Sequence, residues 1–297
     1  LDSPFQFLAA AEEYYHCFIL KDRDTTSIRV GMDATCSGSA VMSGIRLCKT
    51  GATLVNVYPS NEPQDLYKAT WDELVAINNS QSIPSIRPQL LKVWSSKKYG
   101  RAAAKKMIMD AQYSAGERRQ MQEFYEYHDN DIPEKYKLNQ SEVKAFRSLW
   151  TTAMNEVCSF KFVVDWFQAR AQEIYDSGKR EIVIPTPSGC VQHMKYPVYN
   201  LERVKTFHHG SMNYRKTYEY EPTDEPDIKA WLRAVTANTI HSIDGAIMVL
   251  GLKDFEYPFS TIHDCAATYA GKPMDKMLHD LKVGFIKAVS FNIWDEF

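Results

Sequence analysis

Two aspartates far apart in the chain, Asp33 in GMDATCSGS and Asp264 in STIHDCAATY, each stand where a short apolar segment turns polar. Two carboxylates brought together from distant segments are what two Mg²⁺ ions need for in-line phosphoryl transfer. Hard cations take oxygen ligands and clamp the attacking and leaving oxygens about 3.5–4 Å apart. Taken alone, an Asp in such a place is more often a turn or cap residue. Context comes from RAAAKKMIMDAQYSAG, where helical spacing sets Arg101 and Lys105 on one face and Tyr113 about two turns further along. Cations so placed can grip a triphosphate and stabilise charge developing on pyrophosphate, and a tyrosine can stack on, or hydrogen-bond near, a base or sugar. The bland alternative is a solvated basic helix with a core tyrosine. Against it, Arg87, Lys92, Lys97, Lys98, Arg101, Lys105 and Lys106 follow one another with no intervening acidic residue, in a chain of net charge -2.

A third group, TIHSIDGA, carries His241, Ser242 and Asp244 ahead of an apolar segment. A lone His there is more often a buried, satisfied imidazole or a cap than a catalytic group. His208-His209 lacks a third ligand at metal spacing and reads as a loop feature. No HExxH, GxSxG or P-loop occurs, which argues against metalloprotease, serine hydrolase and P-loop chemistry.

The elements that must position these residues follow from pattern. Ser3-Pro4 begins a helix through Tyr15, and SIRVGM reads as a strand that ends at Asp33. Helical periods run over Gln64–Asn78 and Tyr99–Ser114, with one or two helices in Phe146–Tyr175. Glu181–Ile184, the TPSG turn and Val191–Val198 read as strand, turn and strand. Ala246–Leu252 is an apolar strand or buried helix, Ser260–His263 approaches Asp264, and Met274–Ala288 is an amphipathic helix. Polar, turn-rich stretches at Pro59–Pro63, Asp129–Pro133 and Glu219–Pro226 are expected to be loops. Two acidic strand ends thus bracket a helical middle.

The 297 residues, 44% hydrophobic and 24% charged, suit one large domain or two interleaved ones and exclude wholesale disorder, collagen or coiled coil. No uninterrupted apolar run of membrane-spanning length occurs, so no membrane partner is expected. Six scattered cysteines form no C-x-x-C pair, which fits a reducing compartment. The chain opens at Leu1 with no basic stretch ahead of an apolar core, so it reads as a processed or truncated polypeptide without a signal peptide.

The order DATCSG, R-x-x-x-K-x-x-x-x-x-x-x-Y, TIHSIDGA and IHDCAAT resembles the single-subunit, bacteriophage-type RNA polymerases and their mitochondrial relatives. DSPFQFLAAAEEYY, VNVYPSNEPQDLY and IPTPSG also look like family sequence, so the likeness spans nearly the whole chain. Related DNA polymerases carry a similar basic helix and an H-D pair, but their first acidic motif lacks the Cys-Ser-Gly tail. The resemblance implies an α+β right-hand architecture. Residues 1–49 and 242–297 would form the palm, an antiparallel sheet with helices, and residues 50–241 mostly helical fingers. It implies DNA-dependent RNA synthesis with DNA template, RNA product and ribonucleoside triphosphates as partners and two Mg²⁺ as cofactors. Asp33 and Asp264 correspond to the metal-binding, catalytic aspartates, with the Ala34 carbonyl as a further oxygen ligand. Arg101 and Lys105 correspond to the phosphate-holding pair, Lys105 also to the proton donor to pyrophosphate. Tyr113 corresponds to the ribose-sensing residue of the active site, and His241 to its companion near the 2′-hydroxyl. Ser114 departs from the pattern, since the family usually has Gly after this Tyr.

The chain also begins a short way before Asp33, so the family's long N-terminal region and early palm segment have no counterpart in it. It therefore resembles one polypeptide of a split, heterodimeric phage RNA polymerase of the coliphage N-four type, or a piece of a longer chain. The expected partner is a second polypeptide bearing the N-terminal domain and early palm. The expected location is the cytoplasm of an infected bacterial host, ahead of a mitochondrion. A family-A-like DNA polymerase and a non-catalytic nucleic-acid-binding subunit of the same fold are the rival readings.

Overall fold

The computed structural model describes residues 3–158, 160–208 and 211–297. Helix α1 (Pro4–Tyr14) starts on a proline, whose missing N–H costs nothing in a first turn, and runs into a π-helical turn, Tyr15–Leu20. Strand β1 (Arg29–Met32) follows, then α2 (Ser37–Ile45), α3 (Lys49–Leu54), α4 (Leu66–Ser80), α5 (Pro88–Ser96), α6 (Tyr99–Gln112) and α7 (Glu117–Asn130). Helices α8 (Gln140–Val157) and α9 (Lys161–Asp176) complete the helical middle. Two hairpins come next, β2 (Ile182–Pro185) with β3 (Val191–Met194) and β4 (Pro197–His208) with β5 (Ser211–Pro226). The chain continues through α10 (Ile228–Leu252), β6 (Ser260–Ile262), β7 (Cys265–Tyr269), α11 (Lys272–Val289) and α12 (Ile293–Glu296).

Small antiparallel sheets beside many helices make the chain α+β, as expected. Two local readings are corrected, and the open choice at Ala246–Leu252, strand or buried helix, is decided for helix. Glu219–Pro226, expected to be a loop, lies in β5, and the whole hairpin β4–β5 escaped the pattern. The second strand expected at Val191–Val198 breaks after Met194, and Pro197 opens β4 instead. Ala246–Leu252 is the C-terminal part of α10. That helix is long and apolar enough by composition to cross a membrane. Here it buries Trp231, Val235, Ile240, Ile243 and Ala246 and packs on α2, α9 and α11, as the core helix of a globular domain does. His209 lies outside the described residues.

The core of the helical middle is aromatic. Trp71 of α4 stacks on Trp94 of α5 at 5.7 Å between ring centroids, and Phe124 of α7 stacks on Phe146 of α8 at 4.0 Å. The first turn of α6 reaches this layer at Gly100, where a Cβ would fall 2.0 Å from the Trp71 ring. Only a glycine lets the basic helix seat so deeply. Helix α4 begins at Asp65, whose carboxylate accepts from the Lys68 N–H at 3.0 Å. Helix α8 begins with a reciprocal capping box between Asn139 and Glu142.

The buried Glu142 carboxylate also accepts from Arg87 through Nε (2.7 Å), Nη2 (2.9 Å) and the backbone N–H (3.1 Å). Burial alone would raise its pKa. The guanidinium and the Asn139 and Arg87 N–H groups outweigh that and hold the carboxyl below the usual range. A depressed folded-state pKa gives stability above the ordinary carboxylate pKa and loses it as pH falls through the depressed value. Glu142→Gln is therefore expected to lower the urea unfolding midpoint clearly at pH 7, with the gap to wild type closing as pH falls below about 4. A gap independent of pH would refute the charged pairing.

Candidate active site

Register brings the two sequence-predicted aspartates together. Strand β1 pairs antiparallel with β7, Met32 opposite Ala266, while β6 folds onto β7 with Ile262 opposite Cys265. Asp33 is the next residue after β1, and Asp264 sits in the two-residue turn between β6 and β7, so both leave the sheet at one end. The turn closes because His263 adopts a left-handed backbone, φ 55°. Cys36, likewise left-handed at φ 55°, turns the chain from Asp33 into α2.

Asp33, Ala34 and Asp264 all line one cavity of about 470 Å³, floored by apolar side chains from α2, α10, α11 and the segment that follows α3. A third carboxylate, Asp244 of α10, lines it too. Burial first, then the nearby Asp264 charge, push the Asp244 carboxyl up to about 7. Lys282 is the one basic side chain on the cavity wall among the described residues. No three His, Cys, Asp or Glu side chains among the described residues converge to enclose a metal. The oxygen-bearing residues Asp33, Ala34, Asp244 and Asp264 instead line an open cavity. That suits Mg²⁺, which keeps several waters and takes one or two carboxylates plus phosphate oxygens.

Tyr113, the residue capping α6, is brought onto His241 of α10, with ring centroids 4.7 Å apart and planes tilted by 36°. Its hydroxyl lies against the start of α2, where a Cβ on Gly38 would stand 3.1 Å away. Ser37, at the same helix start, donates to Asp244 Oδ2 at 3.4 Å. Burial, then the Asp244 charge, push the Tyr113 phenol up to about 12, with the nearby Ser37 hydroxyl working the other way. Gln112 alongside is buried and accepts from Ser39 Oγ (2.9 Å) and Cys36 Sγ (3.5 Å). Ser37, Gln112 and Asp244 were not picked out from the sequence as site residues. The only available signal was the i, i+3 spacing of His241 and Asp244, which puts both on one helix face once the segment is known to be helical.

The basic stretch divides. Arg87 pairs with Glu142, Lys97 lies over the Tyr136 ring and Lys106 over the Tyr127 ring. Arg101 pairs with Asp65 and lies 5.5 Å from the Tyr67 ring centroid. Lys105 is exposed and makes no ion pair among the described residues. Neither Arg101 nor Lys105 lines the cavity itself.

The profile of the DNA-dependent RNA polymerase family matches residues 1–297. The chain belongs to that family. It is 24% identical to the DNA-directed RNA polymerase of Enterobacteria phage K11 over 90% of this chain and 34% of that protein. Against the enzyme of Pseudomonas phage phiKMV the identity is 26%, over 88% of this chain and 33% of that protein. The mitochondrial DNA-directed RNA polymerase of Mus musculus is 23% identical, over 91% of this chain and 22% of its own length. This polymerase-family chain thus spans about a third or less of the length of these relatives.

In a chain of this family the residue after Tyr113, usually Gly, is Ser114. Helix α6 closes with the Ser114 N–H donating to Ala111 O (3.2 Å) and the Ala115 N–H donating to Asp110 O (3.1 Å), the Schellman pair. That closure needs a left-handed residue at position 114, and Ser114 supplies it at φ 66°. Its hydroxyl is buried without a hydrogen-bond partner. A left-handed non-glycine costs about 1–2 kcal/mol, and an orphaned hydroxyl a further 1–3 kcal/mol. Ser114→Gly is expected to raise stability by about 1 kcal/mol after the extra unfolded-state entropy of glycine is subtracted. Ser114→Ala should recover only the hydroxyl's share. Urea unfolding of both variants checks this, and a destabilised Ser114→Gly would show that the serine is held by something else.

Proposed function

We propose that this chain carries the catalytic palm and fingers of a DNA-dependent RNA polymerase, active in the cytoplasm of a phage-infected bacterium. The observation that carries the reading is the convergence of Asp33 and Asp264, from opposite ends of the chain, on one cavity, with Tyr113 in ring contact with His241. Family membership supports it. In this reading residues 1–49 and 242–297 form the palm around β1, β6 and β7, and residues 50–241 the fingers.

The reaction is nucleotidyl transfer: the RNA 3′-hydroxyl attacks the α-phosphate of a nucleoside triphosphate and pyrophosphate departs. Asp33, Asp264 and the Ala34 carbonyl would hold two Mg²⁺ ions, whose chemistry is to favour the attacking alkoxide and neutralise the departing pyrophosphate. Lys105, exposed and without an ion pair among the described residues, would meet phosphate and give a proton to pyrophosphate as it leaves. Arg101, on the same helix face, adds a forked donor suited to phosphate oxygens. Tyr113 and His241, in ring contact, would meet the nucleotide's sugar, where a ribose hydroxyl distinguishes RNA from DNA precursors.

Asp33→Asn or Asp264→Asn is expected to cut RNA synthesis by about a thousandfold or more with template affinity nearly intact, since these carboxylates act mainly on the transition state. Primer extension with labelled ribonucleotides and a binding titration on the same template measure both. Near-normal turnover in Asp264→Asn would overturn the reading.

We further propose a second polypeptide bearing the N-terminal domain and early palm. Helix α1 and its π-helical turn bury no residue, and Phe5 is 86% exposed, with Phe7, Leu8, Phe18 and Ile19 also bare. Single-sign neutralisation of a whole template–RNA hybrid also asks for more basic surface than α6 offers. Residues 1–297 alone are expected to be inactive and poorly soluble, and to gain both solubility and activity in complex with that polypeptide. A monomer of residues 1–297 extending RNA at the rate of the native assembly would contradict this.

A further inference from the structure

One buried amide joins the last turn of α6 to the first turn of α2. Gln112 Oε1 accepts from Ser39 Oγ at 2.9 Å, a bond between residues 73 apart in the chain, and from Cys36 Sγ at 3.5 Å. Gln112 and Ser39 are each 3% exposed, so water does not stand in for either partner if the other is lost. Gln112 is the last residue of α6 and Tyr113 its capping residue, while Cys36 caps α2 and Ser39 lies in that helix's first turn. Cys36 follows closely on Asp33, which leaves the end of β1. The amide therefore ties the backbone that carries Tyr113 to the segment that carries Asp33. The Tyr113 side chain is confined from two sides. Its ring meets His241 at 4.7 Å between centroids, and its hydroxyl reaches Gly38, where an added Cβ would stand 3.1 Å from that oxygen and 3.1 Å from Gln112 Cδ. Gln112 and the phenol thus crowd the same point of α2, and a shift of one helix past the other moves both.

Resting on the polymerase reading, in which Tyr113 meets the sugar, we propose that Gln112 and Ser39 are positioning residues: their buried hydrogen bond fixes where Tyr113 stands relative to Asp33 and so sets how strongly the site prefers ribonucleotides. Apolar contact alone is non-directional and would hold the two helices over a range of offsets. An oxygen that accepts two donors from one helix start admits a single offset. A misplacement of about 1 Å, even one arising away from the reacting atoms, is enough to be read in the rate, and a tyrosine that wanders loses its hold on the 2′-hydroxyl first.

The test uses the assembled polymerase and the ratio of kcat/KM for a ribonucleotide to that for its deoxy counterpart. Gln112→Met keeps the length of the side chain and removes the acceptor, and Ser39→Ala removes one hydroxyl. Each is expected to lower the ratio several-fold. The Gln112→Met/Ser39→Ala double variant should match Gln112→Met alone, because both changes cut one bond. In a Tyr113→Phe background neither should lower the ratio further. An unchanged ratio in either single variant, or effects that multiply in either combination, would overturn the proposal. Ser39→Ala, the smaller change, decides the matter if Gln112→Met does not fold. A second readout needs no activity: the rate at which N-ethylmaleimide alkylates Cys36, followed by peptide mass spectrometry. Gln112→Met should speed it several-fold, since the thiol loses its acceptor, while the buried Cys158 stays as slow as in wild type and reports an intact fold. An unchanged Cys36 rate in folded protein would overturn the contact. Failure of the wild-type assembly to incorporate any nucleotide would sink the polymerase reading instead, with the Cys36 rate still deciding whether Gln112 holds α2.

Discussion

The site depends on one latch between the start of α2 and the end of α6. Gln112 is buried there and its side-chain oxygen accepts from Ser39 and Cys36, both in the segment that follows Asp33. A buried amide left unpaired would cost about 1–3 kcal/mol, so the two segments are held in one relative position by polar satisfaction as well as by packing. Gly38 eases the approach, since a Cβ there would stand only 3.1 Å from the Gln112 side chain and from the Tyr113 oxygen. The run from Cys36 to Ser39 therefore does two things. It ends the strand that delivers Asp33, and it grips the end of the helix that carries Arg101, Lys105 and Tyr113.

Backbone conformation marks the same places. Cys36, His263 and Ser114 are all left-handed non-glycine residues. One directs the chain from Asp33 into α2, one closes the turn that holds Asp264, and one follows Tyr113. Each conformation costs about 1–3 kcal/mol and persists because the surrounding contacts over-determine it. Tight turns at the ends of short strands put a carboxylate at a cavity mouth without a long loop, and rigid placement is what a site for charged ligands needs.

Much of this was legible in the sequence where local pattern decides. The helices around Leu74, Met107 and Phe167 carry clear periods, and the strand ending at Asp33 shows its β-branched alternation. Hairpin β4–β5 was not legible. Tyr199 and Leu201 lie on one face and Val204 on the other, yet all three are exposed, so no buried face imposes an apolar alternation. Asp244 stood in view in TIHSIDGA, but its partner Ser37 is 207 residues away, and no local pattern encodes that contact. Ser114 could be noticed only as a departure from a family habit. The φ of 66° supplies the physical reason for the habit.

Charge is where sequence and structure differ most instructively. Seven cations in a row suggested one basic surface, yet Arg87 is consumed by a buried carboxylate, and Lys97, Lys106 and Arg101 rest on aromatic rings. These engagements are unequal. The Arg87–Glu142 pair has a carboxylate almost wholly buried, and parting it would strand a charge, so Arg87 belongs to the fold. Arg101 is 42% exposed in its pair with Asp65, and pairs so open to water contribute about 0–1 kcal/mol. A phosphate competing for that guanidinium forfeits little, and Asp65 keeps its cap on α4 through the other oxygen. Arg101 and Lys105 are therefore the cations of α6 that the fold can release to a ligand, and they share the helix that ends at Tyr113.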